Sequence, residues 1–210
     1  MNGDNEVFVI GAGGHAKVVI STLLAAGFSV AGIYDDDEKK WGTSILRVPI
    51  LGSISQLTEE SKAVQAIGKN SIRKDIARRI PSADWITVVH PQAAVHPTAT
   101  LGKGTVVFAG SVIQPDVVIG QHCIINTAAT VDHDCVLADF VHLAPGCHLA
   151  GEVRIGEGAF LGIGSVVIPG MTIGSWSVIG AGGVVIRAVE NGVISTGVPA
   201  RMRRRIKDQG

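Results

Sequence analysis

Ile113-Gln-Pro-Asp-Val-Val-Ile119-Gly-Gln-His-Cys-Ile-Ile125-Asn-Thr-Ala-Ala-Thr-Val131-Asp-His-Asp-Cys-Val-Leu137 carries a branched aliphatic residue at every sixth position. The register runs without a skip from Val95 through Leu101 and Val107 to Ile173, Ile179 and Val185, sixteen positions in all. Four residues after each one the side chain is usually small, as at Ala99, Thr105, Ser111, Cys123, Ala129, Cys135 and Cys147. Glycine often follows the aliphatic residue directly, as at Gly102, Gly120 and Gly156. A period of six fits neither a helix (3.6) nor a simple strand (2). It is the signature of a hexapeptide β-helix, in which a hexad is a strand plus a corner and three hexads close one triangular coil. Sixteen hexads predict about five coils. The aliphatic residue fills the prism, the small residue fits where the walls converge, and Gly, Asp or Asn relieves the backbone at corners. No long insertion breaks the register, so a site must be built from coil faces and corners or between subunits.

Upstream, Val7–Ile10 is a short apolar run consistent with a buried parallel strand. Gly11-Ala-Gly-Gly-His-Ala16 follows, then a helical pattern to Ala26 closed by Gly27, then a second strand, Val30–Tyr34, ending in Asp35-Asp36-Asp37. This is a βαβ unit with a glycine-rich first turn, whose helix amino terminus suits an anion such as a phosphate. Gly11, Gly13 and Ala16 match the dinucleotide pattern, and Asp35 lies where a ribose-binding carboxylate would. About four strands precede the hexads, against about six in a complete dinucleotide domain, so a nucleotide-linked molecule fits better than a redox cofactor. A purely structural βαβ unit is the alternative. A short helix is expected over 53–60, a third strand over Ala63–Ile67, a helix to Ile80 capped by Asn70 or Ser71, and a fourth strand over Trp85–Val89. The boundary falls near residue 90: 1–90 form a Rossmann-like domain suited to a nucleotide-linked molecule and 91–210 a β-helix domain with a C-terminal tail. That tail is basic, at Arg201, Arg203, Arg204, Arg205 and Lys207, and is either a solvated end or a phosphate contact.

The 210 residues carry a formal net charge of zero, so nothing global points to nucleic acid or an anionic membrane. No signal peptide or spanning segment is visible, since the run Val7–Ile10 is too short. Cys123, Cys135 and Cys147 all occupy the inward small phase and read as buried thiols suited to a reducing cytoplasm, with a metal site or a disulfide as the minor alternative. His133 is different. Its phase puts it at a corner, between Asp132 and Asp134, where a carboxylate can fix its tautomer and stabilise the imidazolium, as a general base requires. His142 and His148 each precede an inward leucine and should point outward from coil faces. The spacings among these three histidines do not gather metal ligands.

Together these residues resemble the bacterial hexapeptide acyltransferases of the sialic acid O-acetyltransferase type, and within them the nucleotide-linked 4-amino-4,6-dideoxy-sugar N-acetyltransferases of surface-glycan synthesis. The marks are Gly11-Ala-Gly-Gly-His15, Tyr34-Asp-Asp36, Ile67-Gly-Lys-Asn-Ser-Ile-Arg-Lys74, Asn126-Thr, Asp132-His-Asp-Cys135, His142 and Gly197-Val-Pro-Ala-Arg201. The resemblance implies a cytoplasmic homotrimer of left-handed β-helices, with acetyl-CoA as co-substrate in the cleft between neighbouring helices and no metal. It implies His133 as general base and Asp134 as its orienting carboxylate, where relatives often have glutamate. It implies His142 at the acetyl-CoA carbonyl, the Gly151 N–H on the oxyanion, and Ile163, Ala181 and Gly182 along the coenzyme groove. Gly13, His15, Asp35, Asp36 and Arg73 would surround the nucleotide sugar. Transfer would be direct, without a nucleophilic Cys or Ser. Sialic acid O-acetylation, a non-catalytic nucleotide-binding scaffold, and nicotinamide-dependent redox chemistry are the rival readings.

Overall fold

The computed structural model describes residues 5–58 and 61–206. The first residues, the end of the helix expected over 53–60, and Lys207 lie outside the described residues.

The amino-terminal unit opens with strand β1 (Glu6–Ile10), helix α1 (Gly14–Ala25) and strand β2 (Ser29–Tyr34). It continues through β3 (Ser44–Ile45), β4 (Val48–Gly52), β5 (Lys62–Gln65), helix α2 (Asn70–Arg79) and β6 (Asp84–Trp85). The sheet order is β3-β4-β2-β1-β5-β6, parallel apart from the β3–β4 hairpin. β1 is central and its successor β2 and later partner β5 lie on opposite sides of it. Strand order therefore reverses at β1, and the carboxyl end of β1 is the crevice where open α/β sheets bind ligands. The expected helix over 53–60 is only the 3₁₀ turn Ile54–Gln56. The expected fourth strand divides. Asp84–Trp85 pairs with β5, whereas Val88–Val89 pairs with Val106–Val107 and starts the coil stack.

From there the chain is a left-handed parallel β-helix. Two-residue strands recur every six residues, and each pairs with the strand eighteen residues on, as Val106↔Ile124, Ile124↔His142 and His142↔Phe160. Three sheets form the prism faces, and the strands complete five coils and most of a sixth. The hexad aliphatics and the small residues from Val107 to Val185 form one buried core, with all three cysteines inside it. Burial holds the Cys123 thiol up at about 12 and the Cys135 and Cys147 thiols at about 11, so none is a thiolate near neutrality.

From Leu101 to Ile179 the corner position three residues after each inward aliphatic is left-handed: Asp116, His122, Ala128, Asp134, Phe140, Glu152 and Trp176 where it is not glycine. Such a residue costs about 1–2 kcal/mol relative to a right-handed one. Burying each aliphatic stabilises by about 1.5–3 kcal/mol, so the interior wins and Phe or Trp is tolerated at a corner. Sequence reasoning reserved these corners for Gly, Asp and Asn. The aromatic exceptions share one prism edge, where Gly104, His122, Phe140, Gly158 and Trp176 succeed one another eighteen residues apart. His122 and Phe140 stack there with ring centroids 5.3 Å apart and planes 4° from parallel.

The two units share a core. α1 presents Ala16, Val19, Ile20 and Leu23 to a buried cluster that also holds Val88, Val106, Phe108 and Ile124 from the outer surface of one prism face. α2 lies along the aromatic edge. Its positions 70, 73 and 74 fall on one helix face, as residues three and four apart do. Asn70 Nδ2 donates to the Gly158 and Ala159 carbonyls at 2.9 and 3.1 Å. Lys74 sits 5.0 Å from the Trp176 ring centroid and pairs with Glu157. The N-cap of α2 is Lys69, without a side-chain cap; Asn70 is spent on docking instead.

Candidate functional site

The turn after β1 is shaped by closeness. Gly11 has φ +103°, and a Cβ there would lie 2.6 Å from Ile67 Cγ1, so only glycine lets the two loops approach. At Gly13 and Gly14 a Cβ would meet nothing, which leaves open space before α1. Gly13 caps α1 without a side-chain hydrogen bond and no acidic residue occupies its first turn. The open space is a cavity of about 590 Å³ bounded by Gly13, His15, Asp35, Asp36, Lys40 and Arg79, with Ile67 and Gly68 on the far wall. Asp35 Oδ2 accepts from the Ala12 N–H at 2.6 Å and from Lys40 Nζ at 3.2 Å, and Oδ1 accepts from the Asp37 N–H at 2.9 Å. Burial opposes ionisation of Asp35, but these donors win and hold its carboxyl below the ordinary value. Asp36 behaves alike. Burial again opposes, yet Arg79 at 2.9 Å, the Ile54 N–H and the Ser53 hydroxyl keep it low. The floor is thus anionic and pinned, while Lys40 and Arg79 add positive charge.

Arg73 does not line this cavity, contrary to the sequence-based placement. It is 1% exposed and faces the coils. Nε donates to His122 O at 3.0 Å, Nη2 to Phe140 O at 2.8 Å, and Nη1 to Ile67 O, Gly68 O and Asn70 Oδ1 at 3.2, 3.1 and 2.9 Å. The cation at the cavity on this helix is Arg79, two turns further along. A helical face carrying Asn70, Arg73 and Lys74 was the available signal that α2 docks on something polar.

His142 points outward from its coil face, as expected, but is buried beneath the amino-terminal unit. Its Nδ1 lies 3.2 Å from Gly68 O and its Nε2 3.2 Å from Asn126 Nδ2. A carbonyl only accepts, so Nδ1 carries the proton and Nε2 accepts from Asn126. Burial, with the Arg73 charge second, lowers His142 to about 3, so the ring is neutral and Nε2 has no proton to offer an incoming carbonyl. His15 packs edge-on against Phe108, 6.3 Å from His142. Burial first and Arg73 second lower it to about 4, and its buried Nε2 has no partner among the described residues.

His133 occupies the corner opposite in character. Asp134, left-handed at φ +59°, turns its carboxylate back so that Oδ2 lies 2.8 Å from His133 Nδ1. Asp132 Oδ1 accepts the His133 N–H at 2.8 Å. The imidazole side chain is 55% exposed. The bond to Asp134 raises the His133 pKa above its ordinary value of 6.5. The ring rests on the next coil: a Cβ on Gly151 would stand 2.6 Å from His133 Cε1 and 2.7 Å from Nε2. Nδ1 is thereby committed to Asp134 and Nε2 is left as the basic atom.

Ile163 and Ala181 stand eighteen residues apart near a third edge, where the Gly182 N–H donates to Ile163 O at 2.8 Å, and Ile163 is 58% exposed. One chain therefore gathers Gly13, His15, Asp35 and Asp36 in one cavity and brings His133, Asp134 and Gly151 together at one corner. His133 lines neither of the two large cavities of the described residues. His148, also expected to face outward, is exposed and within 2.9 Å of Thr130 Oγ1. Among the described residues no group of His, Cys, Asp and Glu has a metal-holding arrangement, and no helix is long and apolar enough to cross a membrane.

The family described as the PglD N-terminal domain matches residues 6–80. Over almost its whole length the chain is similar to a histidine-to-alanine mutant of GDP-perosamine N-acetyltransferase of Caulobacter crescentus, solved with CoA and GDP-perosamine: 41% identity, TM-score 0.89, 96% of this chain and 98% of that one. It is similar to the acetyltransferase domain of PglB from Neisseria gonorrhoeae, solved with acetyl coenzyme A: 38% identity, TM-score 0.89, 96% of this chain and 100% of that one. The curated UDP-N-acetylbacillosamine N-acetyltransferase of Bacillus subtilis is 40% identical over 113 residues, 50% of this chain and 51% of that protein. An uncharacterized protein, L142, of Acanthamoeba polyphaga mimivirus is 35% identical over 103 residues, 21% of its length. The match thus spans about half or less of these curated relatives. With full-length likeness, a matching first domain and the same two-unit fold, the chain belongs to the hexapeptide-repeat sugar acyltransferases, on the branch of the nucleotide-linked amino-sugar N-acetyltransferases.

Proposed function

We propose that the protein is an acetyl-CoA-dependent N-acetyltransferase acting on the 4-amino group of a nucleotide-linked 4-amino-4,6-dideoxy sugar, working as a cytoplasmic homotrimer in surface-glycan synthesis. The observation that carries the reading is the His133–Asp134 pair seated on Gly151: an exposed base with one nitrogen held by a carboxylate and the other free. The cavity at the α1 amino terminus supports a nucleotide diphosphate there, with Gly13, His15, Asp35 and Asp36 around it and Lys40 and Arg79 as its cations. The separation of that cavity from His133 within one chain supports a site completed by a neighbouring copy. The division near residue 90 assigns nucleotide-sugar binding to the first unit and acetyl transfer to the second.

In this mechanism the sugar amine attacks the thioester carbonyl. The C–N bond forms and the carbonyl becomes a tetrahedral oxyanion, the amine proton passes to His133 Nε2, and collapse of the oxyanion breaks the C–S bond and releases the thiolate of CoA. Asp134 stabilises the imidazolium, and the Gly151 N–H faces the carbonyl oxygen as it gains charge. Ile163, Ala181 and Gly182 line the coenzyme groove. His142, neutral and Nδ1-protonated, bounds the acetyl group without donating to it. The test is thiol release from acetyl-CoA with UDP- and GDP-linked 4-amino-4,6-dideoxy sugars beside free and CMP-linked sialic acid. Release with an amino sugar is the expected result. Release with sialic acid alone would replace this reading by O-acetylation, and silence across the panel would remove it.

A further inference from the structure

Arg73 is a buried cation with no carboxylate partner among the described residues. Leaving a guanidinium so placed is costly unless every donor is met. Here carbonyl and amide oxygens meet them, and those oxygens come from two places. Ile67 O and Gly68 O belong to the turn that walls the α1 cavity. His122 O and Phe140 O are equivalent positions of successive coils, and Phe140 lies two residues before His142. Asn70, whose Oδ1 Arg73 holds, grips the next coil at Gly158 and so extends the clamp to three coils in series. Gly68 O closes the circuit. It accepts both from Arg73 Nη1 at 3.1 Å and from His142 Nδ1 at 3.2 Å.

We propose that Arg73 is a positioning residue that couples the occupancy of the α1 cavity to the placement of His142. The coupling runs through one shared atom, Gly68 O, whose place over the His142 Nδ1–H is set by Arg73. The guanidinium fork ties that oxygen to the coil carrying His142, so a ligand pressing on Ile67–Gly68 moves oxygen and ring together only while the fork holds both. Neither group touches the other's ligand. Lysine keeps the charge but has no planar fork, so it cannot hold the turn and two coils together. The inference rests on the proposed reading only in taking a nucleotide as the occupant of the cavity.

Histidine ¹⁵N NMR of the full-length protein at one pH tests it, with UDP and GDP as probes and calorimetry to establish which one binds. The expected wild-type result is a His142 ring protonated at Nδ1 whose Nδ1 resonance moves on nucleotide saturation, while that of exposed His148 stays. In Arg73→Lys the nucleotide still binds within about threefold, the His142 response is lost, and kcat falls about 10-fold or more with KM for the sugar nucleotide little changed. A purely structural arginine would lower the melting temperature and leave kcat per folded enzyme and the His142 response intact, which would overturn the proposal. A bound nucleotide that leaves wild-type His142 unmoved overturns it without any variant. Binding by neither nucleotide overturns it together with the cavity reading. A nucleotide-dependent His142 response without acetyl transfer would sink the enzymatic reading alone.

Discussion

Three histidines on the coils, His122, His133 and His142, and one on α1, His15, divide into two chemistries. His133 is exposed at a corner, where Asp134 raises its pKa. His15, His122 and His142 are enclosed where the first unit covers the coils, and burial lowers them to about 4, 4 and 3, with Arg73 adding to the effect in each. The hexad phase of His142 and that of a solvent-facing residue are the same. What separates them is which face the first unit covers. One chain thus keeps a proton acceptor at the open edge and a set of neutral, fixed imidazoles beneath the first unit, of which His15 lines the cavity.

The largest effect should follow from removing the open-edge group. His133→Ala is expected to lower kcat by about 10²–10⁴-fold, the usual contribution of a base, with no change in melting temperature because the side chain is exposed. Steady-state kinetics beside a thermal melt checks this. Loss of folding, or full activity, would erase the distinction between the two sets. Gly151→Ala tests whether the ring must rest on the coil below. The new methyl would enter the space of His133 Cε1 and Nε2, so kcat should fall about 10–100-fold with KM for acetyl-CoA nearly constant, as for a misplaced group. Wild-type kcat in that variant would show that the base is free to lean elsewhere. Asp134→Asn gives the smallest change at its optimum pH and the most specific. A base must be neutral to act, and a raised pKa keeps it protonated to higher pH. The acid limb of kcat/KM should therefore lie above 6.5 in the wild type and move to lower pH in the variant. An unmoved limb would assign it to another group.

The coils were legible because each hexad repeats one demand, an aliphatic inside and a tight corner outside, and sixteen repeats make the demand unmistakable. The cysteines followed from phase alone, and so did the corner position of His133. The glycine turn and the Asp35–Asp36 strand end were legible through local chemistry, since Gly11 and the Asp35–Ala12 bond act within the first βαβ unit. Docking was not legible. In sequence Arg73 is one more basic residue near a nucleotide motif, and its partners His122 and Phe140 are 49 and 67 residues away. Carbonyl acceptors have no sequence signature at all. For the same reason the run Trp85–Val89 looks like one strand in sequence, although the partner of Val88–Val89 lies eighteen residues ahead. Local rules favour Asn70 as a helix cap, and a tertiary contact claims it instead.

The ladder of His122, Phe140 and Gly158 along one edge has a consequence for how this gene can change in length. Loss of a single codon between Val107 and Val185 turns every later aliphatic outward and every later corner inward, so ordinary small deletions are closed to the coils. Only steps of eighteen residues return the chain to the same face. Even those are excluded between 122 and 158, where Arg73 and Asn70 gauge three consecutive coils against one rigid helix. Growth or shortening by whole coils is confined to the carboxyl-terminal side of Trp176, the last coil position that Lys74 of α2 reaches.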